Sequence, residues 1–458
     1  MKNITHKYSY LVLFLLAGFM AFTVIWADDW KDERKVIVSD ATYYYSYLPA
    51  FFIHADPAFN FAQNDTIKYG GFIYLEVNEL GRNNVRTTMG VAYLYAPFFF
   101  IGHALAHITG DETDGYSAPY RMMLLWAGVF YLILGLVFLR KILLRYYSDI
   151  VVALALLLIV LATNLFYYSA FENSMSHVYS FFMLTVFMNL MLLFFENPNR
   201  RLAFSWAFVF GIIVLMRPSN ILFAIVPIFW GISNKEGFLN RIDFYRKNFS
   251  LLPIMIFGAV LPILPQMLYW YYVSGSFVHY SYPEEARFYF DNPHILKGLF
   301  SFRKGWFLYT PIMLPIVLSI FLLKKSASDW FLPILIFVLI NTYIIFSWPI
   351  WWYGGGFGQR AFVDSYPLLI FPLAELIHYI FKQKKVVTAI AFVIISFFVV
   401  LNLFQTRQYR SFAIHWDSMT KEAYFANFGK MQPVEGLDTL FKSPDYENAW
   451  KNLPERED

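Results

Sequence analysis

Tyr8–Ala27 reads YSYLVLFLLAGFMAFTVIWA, twenty residues without a single charge. Wound as an α-helix it is about 30 Å long, the thickness of a bilayer's hydrocarbon core, and it can satisfy its own backbone hydrogen bonds there. Further apolar runs lie at 89–108, 121–139, 149–166, 177–195, 202–216, 219–232, 249–273, 306–323, 329–347, 361–381 and 386–404. The composition agrees, with 58% hydrophobic, 21% aromatic and 15% charged residues in a chain of 458. A soluble enzyme of this length is far less apolar. The sequence therefore predicts an all-α polytopic membrane protein. Its first run follows a basic start without a small-residue cleavage pattern, which makes it a retained anchor.

The net charge of +4 is small and its basic residues stand at the ends of apolar runs, so no nucleic-acid partner is implied. The absence of cysteine removes disulfides, thiolate metal sites and cysteine nucleophiles together. Taking all twelve runs as spans places Arg140, Lys141 and Arg145 outside, against the usual bias of basic loops toward the cytoplasm. The run 89–108 holds Pro97, His103 and His107 among tyrosines and reads as an interfacial or re-entrant helix. Without it, about eleven spans remain, within a range of eleven to thirteen, and every basic cluster falls on the cytoplasmic side. The expected layout is a plasma (inner) membrane protein with a cytoplasmic N-terminus. A transmembrane domain covers 1–404, including a long external loop at 28–119 with juxtamembrane helices, and an extracytoplasmic tail covers 405–458.

One segment interrupts this pattern: Trp348-Pro-Ile-Trp-Trp-Tyr-Gly-Gly-Gly-Phe-Gly-Gln-Arg360. Irregular backbone at a bilayer is tolerated where it is buried in protein or lines a watery cavity, so this loop should frame a cavity at the outer surface. Trp351, Trp352 and Tyr353 are expected to hold the loop at headgroup level, while Gly354, Gly355, Gly356 and Gly358 permit close backbone approach. Arg360 offers a planar fork suited to phosphate. Arg217, in Met216-Arg-Pro-Ser-Asn220, and the external pair Arg303 and Lys304 are further phosphate candidates, with a snorkelling anchor as the plainer reading of Arg217.

Two acids stand in external positions. Asp40 lies in Ser39-Asp-Ala-Thr-Tyr-Tyr-Tyr-Ser-Tyr47 and reads either as a helix N-cap or as a catalytic carboxylate facing the cavity. Glu172 lies in Tyr167-Tyr-Ser-Ala-Phe-Glu-Asn-Ser-Met-Ser-His177, on the turn between two spans. His177 could join Asp40 and Glu172 around a divalent metal ion, although the spacing is not a strong zinc pattern.

With Asp40 and Glu172 in these places, the chain resembles the GT-C superfamily of membrane glycosyltransferases, especially protein O-mannosyltransferases and lipid A aminoarabinose transferases. The Trp-Trp-Tyr-Gly-Gly-Gly-Phe-Gly-Gln-Arg run and Gly115-Tyr-Ser-Ala-Pro-Tyr-Arg121 are similar to segments of bacterial family-39-like members. The chain departs from that branch in following Asp40 with Ala41, and in having Tyr95-Ala-Pro-Phe98 where a Lys-Pro-Pro or His-Pro-Pro stretch is familiar. The resemblance implies inverting transfer of a sugar from a polyprenyl-phosphate donor to a hydroxyl acceptor on lipid, glycan or protein at the outer face. Asp40 would then act as base or hold a divalent ion, Glu172 would assist, and Arg360 and Arg217 would hold the leaving phosphate. No nucleotide cofactor is expected, since no glycine-rich loop joins a strand to a helix. The alternatives are a transporter or flippase of lipid-linked saccharide, which tends to show repeated halves not found here, and a non-catalytic subunit of an envelope assembly.

Overall fold

The computed structural model describes residues 6–78, 80–281 and 286–454. These are helical apart from loops and one two-residue antiparallel pairing, Glu76–Val77 against Asn83–Asn84, in the segment between the first helix and Gly90–Thr109. Among the described residues seven helices are long and apolar enough to cross a membrane: Lys7–Lys31, Gly90–Thr109, Ala118–Leu143, Ser176–Glu196, Ser328–Phe346, Arg360–Phe381 and Lys385–Arg410. An eighth candidate, Phe249–Val260 with Leu264–Ser274, bends by 49°.

Continuous spanning helices are thus fewer than the eleven expected. Asp149–Leu161 has 13 residues and Arg200–Met216 has 17, while Pro218–Phe229 opens as a 3-10 helix. The run 306–323 is divided among Trp306–Tyr309, Met313–Leu318, Ser319–Leu322 and Leu323–Ser326. Pro311 and Pro315 lie in this run, and a proline removes the amide a continuous helix needs. The run 89–108 is by contrast a single helix, Gly90–Thr109, with Pro97 inside it. It packs along Ala118–Leu143, where a Cβ on Gly102 would lie 3.0 Å from the Tyr120 Cα.

Polar contacts sort the helix ends into two groups. In one, the Asp149 carboxylate accepts the Tyr8 amide at 2.8 Å, Arg140 Nε donates to Ser9 Oγ at 2.6 Å, and Tyr147 donates to Glu375 at 2.9 Å. In the other, Arg121 Nε donates to the Trp30 carbonyl at 2.8 Å and Arg410 pairs with Asp29 at 2.7 Å. There too Asn402 donates to the Leu161 carbonyl at 2.9 Å. Because the first helix ends and Ala118–Leu143 begins in this second group, Gly90–Thr109 alone does not carry the chain from one set of ends to the other. Helices close tightly where side chains are small: a Cβ on Gly211 would come 2.1 Å from the Ala259 carbonyl oxygen of the facing helix.

The last long helix continues to Arg410, so the tail begins after it rather than at 405. The tail carries the short helices Lys421–Ala426 and Tyr446–Trp450 and folds back over the loop before Trp306. There Tyr289 donates to the Trp450 carbonyl at 3.1 Å and His294 bonds Asn452 at 2.7 Å.

Candidate active site

Asp40 opens the helix Asp40–Phe52, a position where negative charge suits the helix dipole, but it is not the cap; Ser39 is, without a side-chain cap bond. The Asp40 carboxylate instead meets Arg360 Nη2 at 2.9 Å. Arg360 Nε also donates to the Tyr353 carbonyl at 3.0 Å, so the guanidinium is held from two sides. The capping alternative for Asp40 is therefore replaced by an ion pair between the start of the helix Asp40–Phe52 and the glycine loop.

Glu172 sits half-buried in the turn before Ser176–Glu196, and its Oε1 accepts the Tyr167 hydroxyl at 2.9 Å. Burial raises its carboxyl above the ordinary value, against the opposing pull of the Tyr167 hydroxyl, Arg360 and Lys304. Lys304 is 2% exposed and its Nζ donates to the Gly356 carbonyl. Burial, aided by the Arg360 charge, lowers its ammonium to about 7, while Glu172 and Asp417 oppose that shift.

Of these groups Glu172 and Arg360 line a cavity of about 430 Å³, with Ser39 and Gly355 beside them, Tyr409 from the last long helix, and Trp416, Asp417 and Tyr446 from the tail; Asp40 reaches it through Arg360. Of the cations expected at a phosphate, Arg360 lines it and Lys304 supports its glycine loop from the buried side. Arg303 does not line it; its guanidinium lies over the Trp352 ring at 5.1 Å. Arg217 pairs with Asp364 at 2.8 Å, and the same carboxylate bonds His177 at 3.1 Å. Asp364 and Tyr167 escaped the sequence reading. Asp364 stands four residues after Arg360 at the start of an apolar run, where a buried acid needs a partner, and that pattern could have marked it.

The glycine loop divides by position. Gly355 faces the cavity with Trp416 as its nearest neighbour, 3.6 Å from a built Cβ. Gly356 has φ 152° and a Cβ there would lie 2.6 Å from the Tyr168 hydroxyl, which itself accepts the Phe357 amide at 2.8 Å. Gly354 has open space around it, and a Cβ on Gly358 would lie 3.2 Å from that of Tyr309. The tryptophans are not headgroup anchors: Trp351 and Trp352 are 4% and 2% exposed, their rings meeting edge-on at 5.5 Å while Tyr446 of the tail packs on Trp352 at 5.5 Å. Tyr353 is turned inward as well, with its hydroxyl on the Ile345 carbonyl at 3.0 Å.

From this geometry Gly356→Ala is expected to lose about 1–3 kcal/mol of stability or more, since it adds a strained backbone to a clash. Gly355→Ala should be tolerated. Thermal unfolding of both variants in detergent checks the pair; equal melting temperatures would contradict the difference.

Asp40, Glu172 and His177 do not converge as metal ligands. Asp40 is taken by Arg360, Glu172 by Tyr167 and His177 by Asp364. Among the described residues no group of three or more His, Asp or Glu could hold a metal ion. Guanidinium groups stand beside two of the three, Arg360 at Asp40 and Arg217 at 3.3 Å from the His177 Nδ1.

No family model matches the chain, and no curated protein matches it. Among solved structures it is similar to the apo form of the oligosaccharyltransferase of Archaeoglobus fulgidus, at 12% identity and a TM-score of 0.48. That alignment covers 99% of this chain and 60% of the archaeal one, so the chain spans somewhat under two thirds of the length of the structure it matches.

Proposed function

We propose that this protein is a membrane glycosyltransferase of GT-C type that moves a sugar from a polyprenyl-phosphate donor to a hydroxyl acceptor at the outer face of the membrane, with inversion. The observation that carries this reading is the Asp40–Arg360 pair at 2.9 Å, whose arginine lines one cavity together with Glu172. It joins a base and a phosphate-binding cation in one contact. Eleven passes, an inner N-terminus and an outer tail belong to the same proposal; the grouping of helix ends and the cytoplasmic bias of basic loops support them.

Donor phosphate would compete with Asp40 for Arg360. As the guanidinium turns to phosphate oxygens, the carboxylate is released to accept the proton of the acceptor hydroxyl. The hydroxyl oxygen forms its bond to the anomeric carbon from the side opposite the phosphate. The carbon–oxygen bond to phosphate breaks, and its electron pair stays on the phosphate, where Arg360 and Lys304 balance the charge. Glu172 keeps Tyr167 and the neighbouring cations in register. A transporter would gather such groups near the midplane between repeated halves, whereas here they stand at the helix ends.

Mass spectrometry of polyprenyl-linked sugars and envelope glycans in a deletion strain tests the reading. Accumulated donor with one missing glycan linkage is expected; unchanged pools of both would remove it. A pH dependence follows from Lys304, which is charged below about 7 and neutral above it. For the donor, kcat/KM should fall as pH rises through that value, and Lys304→Gln should be low with no such limb. A falling limb that persists in Lys304→Gln assigns it to another group.

A further inference from the structure

The C-terminal tail supplies one wall of the cavity, and its aromatic rings face into it. We propose that this wall is a saccharide-binding subsite in which the Trp416 ring is the platform and the Tyr446–Asp417 pair the hydrogen-bonding edge. The proposal deepens the transferase reading, and rests on it for taking the bound sugar as a substrate.

Trp416 is 44% exposed although its surroundings fix it. Phe412 meets its ring edge-on at 6.1 Å, His415 lies against it at 3.9 Å, and the missing side chain of Gly355 leaves room beside it. A ring held in place but left uncovered has contact area to offer at little entropic cost. An exposed tryptophan on a membrane protein commonly serves as an interfacial anchor. This one lines the same cavity as Glu172, Arg360 and Asp417, a polar setting that suits a sugar better than acyl chains.

Sugar rings present a patch of polarised C–H groups on one face and hydroxyls around the rim. The negative face of an aromatic ring complements the first, and fixed donors and acceptors complement the second. Here the rim partners are in place. Tyr446 donates its hydroxyl to Asp417 Oδ2 at 2.7 Å, and Ser418 donates to Oδ1 at 2.7 Å with His415 Nδ1 3.2 Å from the same oxygen, so the carboxylate is oriented and Oδ2 keeps acceptor capacity. Tyr446 is itself braced by Trp352 at 5.5 Å. Glu172 and Arg360, which line the same cavity, and Asp40, which pairs with Arg360, come from other segments of the chain, which leaves the tail wall free to grip a sugar.

The test is saturation-transfer NMR on the full-length protein in an amine-oxide detergent, which carries no sugar headgroup. Methyl α-mannoside, methyl β-glucoside and methyl β-N-acetylglucosaminide serve as probes. Transfer to the ring C–H protons of at least one glycoside is expected, lost in Trp416→Ala and kept in Trp416→Phe. No transfer to any of the three, or an unchanged signal in a folded Trp416→Ala, overturns the proposal. With the substrates identified by glycan analysis, Trp416→Ala should raise KM by up to about tenfold for whichever substrate carries the bound sugar. A shifted donor KM assigns the subsite to the donor sugar, and a shifted acceptor KM to a saccharide acceptor. An unshifted pair of KM values counts against it. Trp416-dependent glycoside binding in a protein without transfer activity would remove the transferase reading and leave the subsite; active transfer with Trp416-independent binding would do the reverse.

Discussion

Asp40→Asn is expected to slow transfer by about 10²–10⁴-fold, the range for loss of a positioned base. The amide keeps the shape of the carboxylate and can still accept a hydrogen bond from Arg360, so insertion and folding should survive. It cannot take a proton from the acceptor hydroxyl. The split between constants separates two roles for this side chain. A base is lost in kcat at saturating donor, whereas a residue that only holds Arg360 is lost in the donor KM. Steady-state kinetics over a donor titration, on monodisperse protein in detergent, gives both numbers. A kcat within threefold of wild type would sink Asp40 as the base and return it to a loop-tethering role.

Arg360→Ala should cost about 10²–10³-fold, as expected when a preorganised donor aimed at developing charge is removed. The consequences are compound, because Arg360 also pairs with Asp40 and donates to the Tyr353 carbonyl. Arg360→Lys is therefore the sharper variant: it keeps a charge but loses the two-pronged contact with phosphate and the Nε bond to the loop. Its kcat/KM for the donor should lie between those of wild type and Arg360→Ala. If Arg360→Lys matches wild type across the whole donor titration, the phosphate is held elsewhere. Arg217 and Lys304 are then the next positions to replace, Lys304 being the nearer to the glycine loop.

Hydrophobicity by itself was enough to mark this as a mostly helical membrane chain, because an apolar run of about twenty residues spans lipid as a helix that satisfies its own backbone polar groups. Runs such as Tyr8–Ala27, 177–195 and 386–404 became helices at nearly the positions their composition marks. The candidate acids and the glycine loop were legible for a related reason: polar or irregular sequence between apolar runs stands out where it is costly. Helix continuity was less legible. The 306–323 run is as apolar as its neighbours, yet it breaks into short pieces.

Pairing across the chain was decided by tertiary structure alone. Asp40 and Arg360 are remote in sequence and meet only because the segment after the first helix and the glycine loop fold together. The same packing took Arg303 to Trp352 and Arg217 to Asp364, which no local spacing indicates. It also buried Trp352 against Tyr446 of a tail whose sequence shows aromatics but not what they cover. Local composition reports the solvent a residue must face; which distant group neutralises a charge or covers a ring depends on the path of the whole chain.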